Sequence, residues 1–227
     1  LDSQLRLETM LMEEFNYAGV TAYQAYEDRA RMFNLYLLLI GVLASGLGAL
    51  YQLGGGLQAF TPSLTLGLLL LAAGLGGVFF VKLIRLRQAH RDSLITMNLI
   101  KAHYIKAFTP QYENLENIFH WKLRTIPVGE KAGSVTSLVC FTVAIIDSIC
   151  FGAAAFFIYV IPFVPAGLEK IDSNSLTIGL LAAAIVSLLA IIFQLLYYRR
   201  VFNKRKELER LAEEEAKVAQ VRRIAGE

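Results

Sequence analysis

The chain has 227 residues and a formal net charge of +3; 56% of its residues are hydrophobic and only 18% are charged. Soluble globular domains carry about 25% charged residues, so the composition argues against a soluble domain. The small and mixed charge argues against a nucleic-acid-binding protein. The apolar residues fall into four long blocks separated by polar segments, a pattern typical of a multi-pass helical membrane protein.

Residues 1–32 predict an amphipathic helix, because side chains on one face recur at steps of three and four. The residues of this stripe are Leu11, Phe15, Ala18, Ala22, Tyr26 and Arg29. We expect this helix to run directly into a first span at about 33–53. The three glycines at 54–56 then break the helix, and Pro62 suits the first turn of a second span. Residues 33–83 are therefore predicted to form a transmembrane hairpin with an uncharged loop.

Residues 84–134 are polar again and are predicted to form a helical segment outside the membrane. The second helix should continue as far as Thr109, where threonine as a cap and Pro110 at the first helical position begin another helix. Residues 135–198 contain two further apolar blocks, which predict a second transmembrane hairpin. Residues 199–227 are strongly charged and predict a C-terminal helix.

The basic residues are distributed unevenly along the chain. Nine lie between Lys82 and Lys131 and nine in the C-terminal segment, whereas the loop 54–61 has none and the loop 165–174 has only Lys170. Short loops without positive charge face away from the cytoplasm. We therefore expect both termini and the middle segment to lie on the cytoplasmic side of a cell membrane. Contact with lipid headgroups is expected for the basic run Arg199, Arg200, Lys204, Arg205 and Lys206.

Small residues recur along one face of each predicted span. Such stripes allow helices to approach closely in lipid, and they could pack the four helices of one chain or pack subunits together. The candidate packing residues are Gly41, Ser45 and Gly48 in the first span, Gly67, Gly74 and Gly77 in the second, Ser148, Gly152 and Ala155 in the third, and Gly179, Ala183 and Ser187 in the fourth.

Among aspartate, glutamate, lysine, arginine and histidine, Asp147 is the only residue deep within a predicted span. A carboxylate there costs roughly 2.5–3.5 kcal/mol on insertion scales. Asp147, with the adjacent Ser148, is therefore the candidate pore or ion-binding position. Asp147 could bind a proton or cation, or form a ring of carboxylates in an oligomer. Alternatively it is a protonated structural residue, hydrogen-bonded to one of Thr142, Ser148, Ser187 and Gln194.

Catalytic signatures are absent from the sequence, which contains no GxSxG, HExxH, GxxxxGK[ST] or CxxC motif. Its three histidines have no metal-ligand spacing with either cysteine. We therefore expect a protein that is not an enzyme and that requires no metal and no cofactor.

The run YQAYEDRARMFNLYLLLIGVLASGLGAL is a charged helix with an Arg-Ala-Arg sequence that enters an apolar hairpin. Over about residues 20–90 this pattern resembles the SLATT-type membrane effector domains of bacteria. The resemblance implies an oligomeric, pore-forming or membrane-perturbing effector in the bacterial inner membrane, with a role in defence. It carries over no functional residue.

Together these patterns predict an all-α protein with four transmembrane helices arranged as two hairpins with cytoplasmic helical extensions. We expect a homo-oligomer that acts as a channel-like or membrane-perturbing assembly in the lipid bilayer. The third span would lie close to the conduction path or the subunit interface. The alternative is a non-catalytic scaffold or accessory subunit whose extensions recruit a cytoplasmic protein partner.

Overall fold

A computed structural model describes residues 2–53, 62–108, 135–160 and 173–225 of the chain. Each of these ranges is one helix: α1 (Asp2–Leu53), α2 (Pro62–Phe108), α3 (Val135–Val160) and α4 (Ser173–Ala225). The described residues contain no strand. The predicted all-helical fold is therefore confirmed.

All four helices are long and apolar enough to cross a membrane, within Glu8–Ala49, Ser63–Ile105, Val135–Tyr159 and Ser173–Val201. This confirms the prediction of four potential membrane spans. At 26 residues, α3 is about 39 Å long, close to the roughly 30 Å of a hydrocarbon layer. The other three helices have 47 to 53 residues, so at roughly 70–80 Å they extend far beyond that layer.

α1 and α2 pack as antiparallel neighbours along their polar halves. The hydroxyl of Tyr104 donates a hydrogen bond of 3.2 Å to the carbonyl oxygen of Glu8. Nδ1 of His90 lies 3.0 Å from the carbonyl oxygen of Ala22. The earlier residue of α1, Glu8, contacts the later residue of α2, Tyr104, and the later Ala22 contacts the earlier His90. The two helices therefore run in opposite directions.

Alanines form the buried face of α1 in this region, where Ala18, Ala22 and Ala25 are all buried. Their spacing of four and three residues places them on one side of the helix, and their small size lets the backbone of α2 approach. Tyr26 is 54% exposed and lies off this face. The contact between α1 and α2 outside the apolar layer is therefore a narrow alanine seam.

The main core cluster joins three helices near the middle of the bundle. It contains Tyr36 of α1, Phe80, Leu83 and Ile84 of α2, and Cys140, Val143 and Ala144 of α3. Tyr198 and Val201 of α4 pack against the same cluster. α2 and α3 also contact each other directly, so they form the centre of the bundle, with α1 and α4 on either side.

Basic residues lie at one end of this core. Lys82 and Arg199 are exposed and directly adjoin Leu83 and Tyr198, which both belong to the core contacts. A guanidinium nitrogen of Arg29 donates to the hydroxyl of Thr136 at the start of α3. We call Lys82 and Arg199 the basic boundary, because neither α2 before Lys82 nor α4 before Arg199 contains a lysine or arginine.

Several sequence predictions concern residues outside the described ranges. They include the loop 54–61, residues 165–172 of the loop predicted at 165–174, and the helix expected between Pro110 and Ile126. These remain predictions. The last two residues of the second loop, 173 and 174, belong to α4.

The alanine seam predicts that a larger side chain at Ala22 separates α1 from α2. Overfilling a packed interface costs about 1–3 kcal/mol, so Ala22→Leu should lower the thermal unfolding midpoint of the detergent-solubilised protein by several degrees. Ala30→Leu is the matched control, because Ala30 lies on the same helix and is exposed. Equal midpoints for the two variants would contradict the seam.

Candidate functional site: a buried carboxyl-amide pair

Asp147 lies halfway along α3 and is only 1% exposed. Its side chain is directed at Gly76 of α2, so that the carboxylate occupies the place where a Cβ on Gly76 would lie. The carboxyl carbon of Asp147 is 2.8 Å from that Cβ position. Any residue larger than glycine at this position would displace the side chain of Asp147 or the backbone.

Gln194 of α4 supplies the hydrogen bond to the acid. Its side-chain amide nitrogen donates to Oδ2 of Asp147, and Gln194 itself is only 8% exposed. The hydroxyl of Thr142 instead donates to the carbonyl oxygen of Leu138 at 3.0 Å. Of the partners considered from the sequence, Gln194 is therefore the one that the described contacts place on Asp147.

Several polar atoms around this pair are buried without a hydrogen bond among the described residues. They are Oδ1 of Asp147, Oε1 of Gln194, the hydroxyl oxygen of Ser148 and the phenol oxygen of Tyr36. Buried polar atoms in native proteins nearly always have a partner. The carboxyl-amide pair thus retains two unused acceptor oxygens.

The depth of the pair follows from the helix register. Gly76 precedes Lys82 by six residues and Gln194 precedes Arg199 by five. At a rise of 1.5 Å per residue the pair therefore lies about 8–9 Å from the basic boundary. Along α3 itself Asp147 is near the middle, about 18 Å from Val135 and about 20 Å from Val160. The acid is therefore closer to Lys82 and Arg199 than to either end of α3.

A groove of about 550 Å³ lies over the pair, between α2 and α4 and with α3 beneath it. Asp147, Gln194 and Tyr197 are the lining residues with polar side-chain atoms, and Leu189 and Phe193 of α4 are exposed at its edge. Aromatic rings contribute much of the wall, from Phe80, Phe151, Phe193 and Tyr197. Volume and lining are those of sites that bind small molecules, which typically measure 300–1,000 Å³ and are mostly apolar with few polar groups.

The small residues of α3 and α4 face each other within the chain. The Ser187 hydroxyl occupies the Cβ position of Gly152, and the Ala183 carbonyl oxygen lies 2.7 Å from that position. A ring carbon of Tyr159 lies 3.0 Å from the Cβ position of Gly179. These close approaches, together with the bond from Gln194, fix the register of α4 on α3.

The candidate packing residues of α1 and α2 are arranged differently. Apart from the local turn of their own helix, no described heavy atom lies within 4 Å of the Cβ positions of Gly41, Gly48, Gly67, Gly74 and Gly77, and Ser45 is exposed. Gly76, which the small-residue pattern did not single out, is the α2 glycine in close contact. The sequence signal was the adjacent pair Gly76 and Gly77, of which either could have faced the neighbouring helix.

The basic run after the fourth span lies further along α4. Arg199 and Arg200 are exposed, whereas the side chains of Lys204, Arg205 and Lys206 lie outside the part of the chain whose side chains are described. Among the described residues no basic group forms an ion pair with Asp147. No protein-family model, curated protein or solved structure matches this chain.

The contact between Gly76 and Asp147 predicts a position-specific effect of one methyl group. Gly76→Ala should lower the thermal unfolding midpoint by several degrees, because overpacking costs about 1–3 kcal/mol. Gly74→Ala is the matched control, since its Cβ would meet open space and alanine favours helix by about 1 kcal/mol. In an Asp147→Ala background the effect of Gly76→Ala should become smaller, which a double-mutant cycle measures.

Gly152 should respond differently to the same kind of change. Gly152→Ala is expected to destabilise the protein by a similar 1–3 kcal/mol, roughly, but Ser187→Ala should not restore the midpoint. The reason is that the backbone oxygen of Ala183 lies 2.7 Å from the new methyl carbon and cannot be removed by a side-chain substitution. Full recovery in the double variant would show that the hydroxyl alone limits the approach.

Proposed function

We propose that this protein is a four-span membrane protein that assembles as a homo-oligomer and provides a channel-like path for protons or small cations. The observation that carries the proposal is the groove over Asp147 and Gln194, where two buried oxygens without partners underlie an apolar opening. Carboxyl groups within spans typically mark ion pathways or proton relays. No catalytic step is part of this proposal.

The distribution of basic residues supports an orientation for the assembly. The helical extensions of α2 and α4 beyond Lys82 and Arg199 are rich in lysine and arginine, and such segments remain in the cytoplasm. In this orientation α1 with α2, and α3 with α4, form two transmembrane hairpins with both termini in the cytoplasm. Asp147 then lies about 8–9 Å from the cytoplasmic basic boundary.

The open glycines of α1 and α2 support assembly of several copies. Gly41, Gly48, Gly67 and Gly74 lie on surfaces that no described residue covers. Glycine faces of this kind promote helix association in lipid, because they allow backbones to approach. The resemblance of residues 20–90 to SLATT-type effectors points to the same mode of action. A neighbouring subunit that closes the side of the groove would convert it into an enclosed path.

Flux measurements on purified protein in liposomes test this function. Wild type should release a proton or potassium gradient. Asp147→Asn should slow the release at least about tenfold, because the loss of about 1.4 kcal/mol of stabilisation along the path corresponds to a tenfold change in rate. Thr142→Val is the control, because this residue is exposed on the same helix and its hydroxyl donates to the carbonyl oxygen of Leu138 in its own helix.

Two results would reject the channel proposal. One is a wild-type protein that reconstitutes as an oligomer and shows no flux above that of empty liposomes. The other is a purified Asp147→Asn variant with unchanged flux, since the carboxyl group would then be purely structural.

A scaffold role is the second candidate, and it has an observation of its own. The part of α1 that precedes Arg29 exposes Met10, Tyr17, Tyr23 and Tyr26. Large apolar side chains exposed outside the apolar layer are a feature of protein-binding surfaces. If Tyr17→Ser together with Tyr23→Ser abolished activity in cells but left flux in liposomes unchanged, recruitment of a cytoplasmic partner would be the function of this segment.

A further inference from the structure

We infer that the groove between α2 and α4 binds lipophilic organic cations, meaning hydrophobic molecules that carry a protonated amine. This binding goes beyond the proposed conduction, because it requires the groove of a single chain and no flux. The inference combines the volume of the groove, the chemistry of its walls and the chemistry of its floor.

The walls of the groove suit the body of such a molecule. The volume of about 550 Å³ falls within the roughly 300–1,000 Å³ of typical small-molecule sites. Four aromatic rings contribute to the lining, from Phe80, Phe151, Phe193 and Tyr197. Aromatic faces attract cations as well as apolar groups, and the attraction grows where water is excluded.

The polar atoms beneath the groove favour a positively charged hydrogen-bond donor. Oδ1 of Asp147 and Oε1 of Gln194 are buried acceptors without a partner among the described residues, and no described basic residue neutralises the acid by an ion pair. An ammonium group offers three donors and no acceptor. Oδ1 of Asp147 lies against Gly76, so the acceptors for an ammonium in the groove are Oε1 of Gln194 and, once the amide rotates, Oδ2 of Asp147. An acyl chain would leave Oε1 unpaired, and an anion would be repelled by the carboxylate.

The side-chain amide of Gln194 occupies the hydrogen-bonding position at Oδ2 of Asp147. Its nitrogen donates to this oxygen, and both residues lie beneath the apolar lining. When the amide rotates away, an ammonium group can take over this hydrogen bond, and the bond then becomes charge-assisted and stronger. The released Oε1 of Gln194 can accept a second hydrogen bond from the same ammonium.

The groove is accessible from the outer surface of the bundle. Leu189 and Phe193 at its edge are exposed on α4, within the candidate span Ser173–Val201. The opening therefore faces the lipid phase. Amphiphilic amines partition into this phase, so their local concentration beside the groove is high.

Fluorescence titration of the protein in nanodiscs of phosphatidylcholine tests the inference. The probe is dansylcadaverine, a primary amine with an aromatic body whose emission rises in apolar sites. Its N-acetylated derivative retains the body and lacks the charge. Above the signal of empty nanodiscs, the amine should bind saturably, and the acetylated probe at least about tenfold more weakly, because hydrogen bonds to charged groups are the stronger ones.

Two substitutions separate the carboxyl group from the shape of the groove. Asp147→Asn should weaken binding of the amine at least about tenfold and leave binding of the acetylated probe unchanged. Ala190→Phe fills the groove from α4 and retains the carboxyl-amide pair. It should therefore weaken the binding of both probes. Thr142→Val should bind like wild type. Monodisperse gel filtration is required of each variant, and Ala190→Phe decides the matter if the Asp147 variant does not fold.

Equal affinity for the two probes would overturn the inference, because the groove would then be an apolar site that accepts lipid or any hydrophobic guest. Unchanged binding to Ala190→Phe would also overturn it, since the amine would be bound elsewhere. Failure of this inference and failure of the channel proposal are distinguishable. Binding without flux rejects only conduction, and flux without amine binding rejects only the ligand site.

Discussion

The membrane-embedded part of the chain depends on the burial of one carboxyl group. Three helices contribute to this burial, because α3 carries Asp147, α2 supplies the space at Gly76, and α4 supplies the hydrogen bond from Gln194. Each contribution requires one particular residue to face the acid. A buried polar interaction of this kind is costly when incomplete, so it constrains the rotation and the axial position of three helices at once.

The fold could be derived largely from the sequence because its signals are local. Apolar blocks longer than 20 residues define spans, and glycine and proline define the ends of helices. Hydropathy and the positions of these two residue types were therefore sufficient to predict four long helices. The contact of α1 with α2 outside the apolar layer was less accessible. The stripe predicted for α1 contained Ala18, Ala22 and Tyr26, whereas the buried seam is Ala18, Ala22 and Ala25, because close backbone approach favours the smallest side chains.

The candidate site was predictable only in part, because the sequence does not show the rotation and axial alignment of one helix relative to another. Asp147 was visible because one charge in an apolar run is a signal carried by a single residue. Gln194 lies 47 residues away, and near the polar end of a span a glutamine needs no special partner. The choice between Gly76 and Gly77 is a rotation of about 100° around a helix, which depends on the packing of α2 against α3. The small-residue stripes likewise show which surfaces can approach closely, but the neighbours of α2 and α3 decide which of them do.

The unbroken length of α2 has a mechanical consequence. One side of the groove, at Gly77, Phe80 and Val81, and the contact of Tyr104 with α1 belong to one continuous helix. The two points are about 40 Å apart along its axis. A tilt of about 5° at the groove would displace the distant end by roughly 3–4 Å over that length, more than a hydrogen bond can stretch. A change in the tilt of α2 at the groove would therefore also change its packing against the polar part of α1.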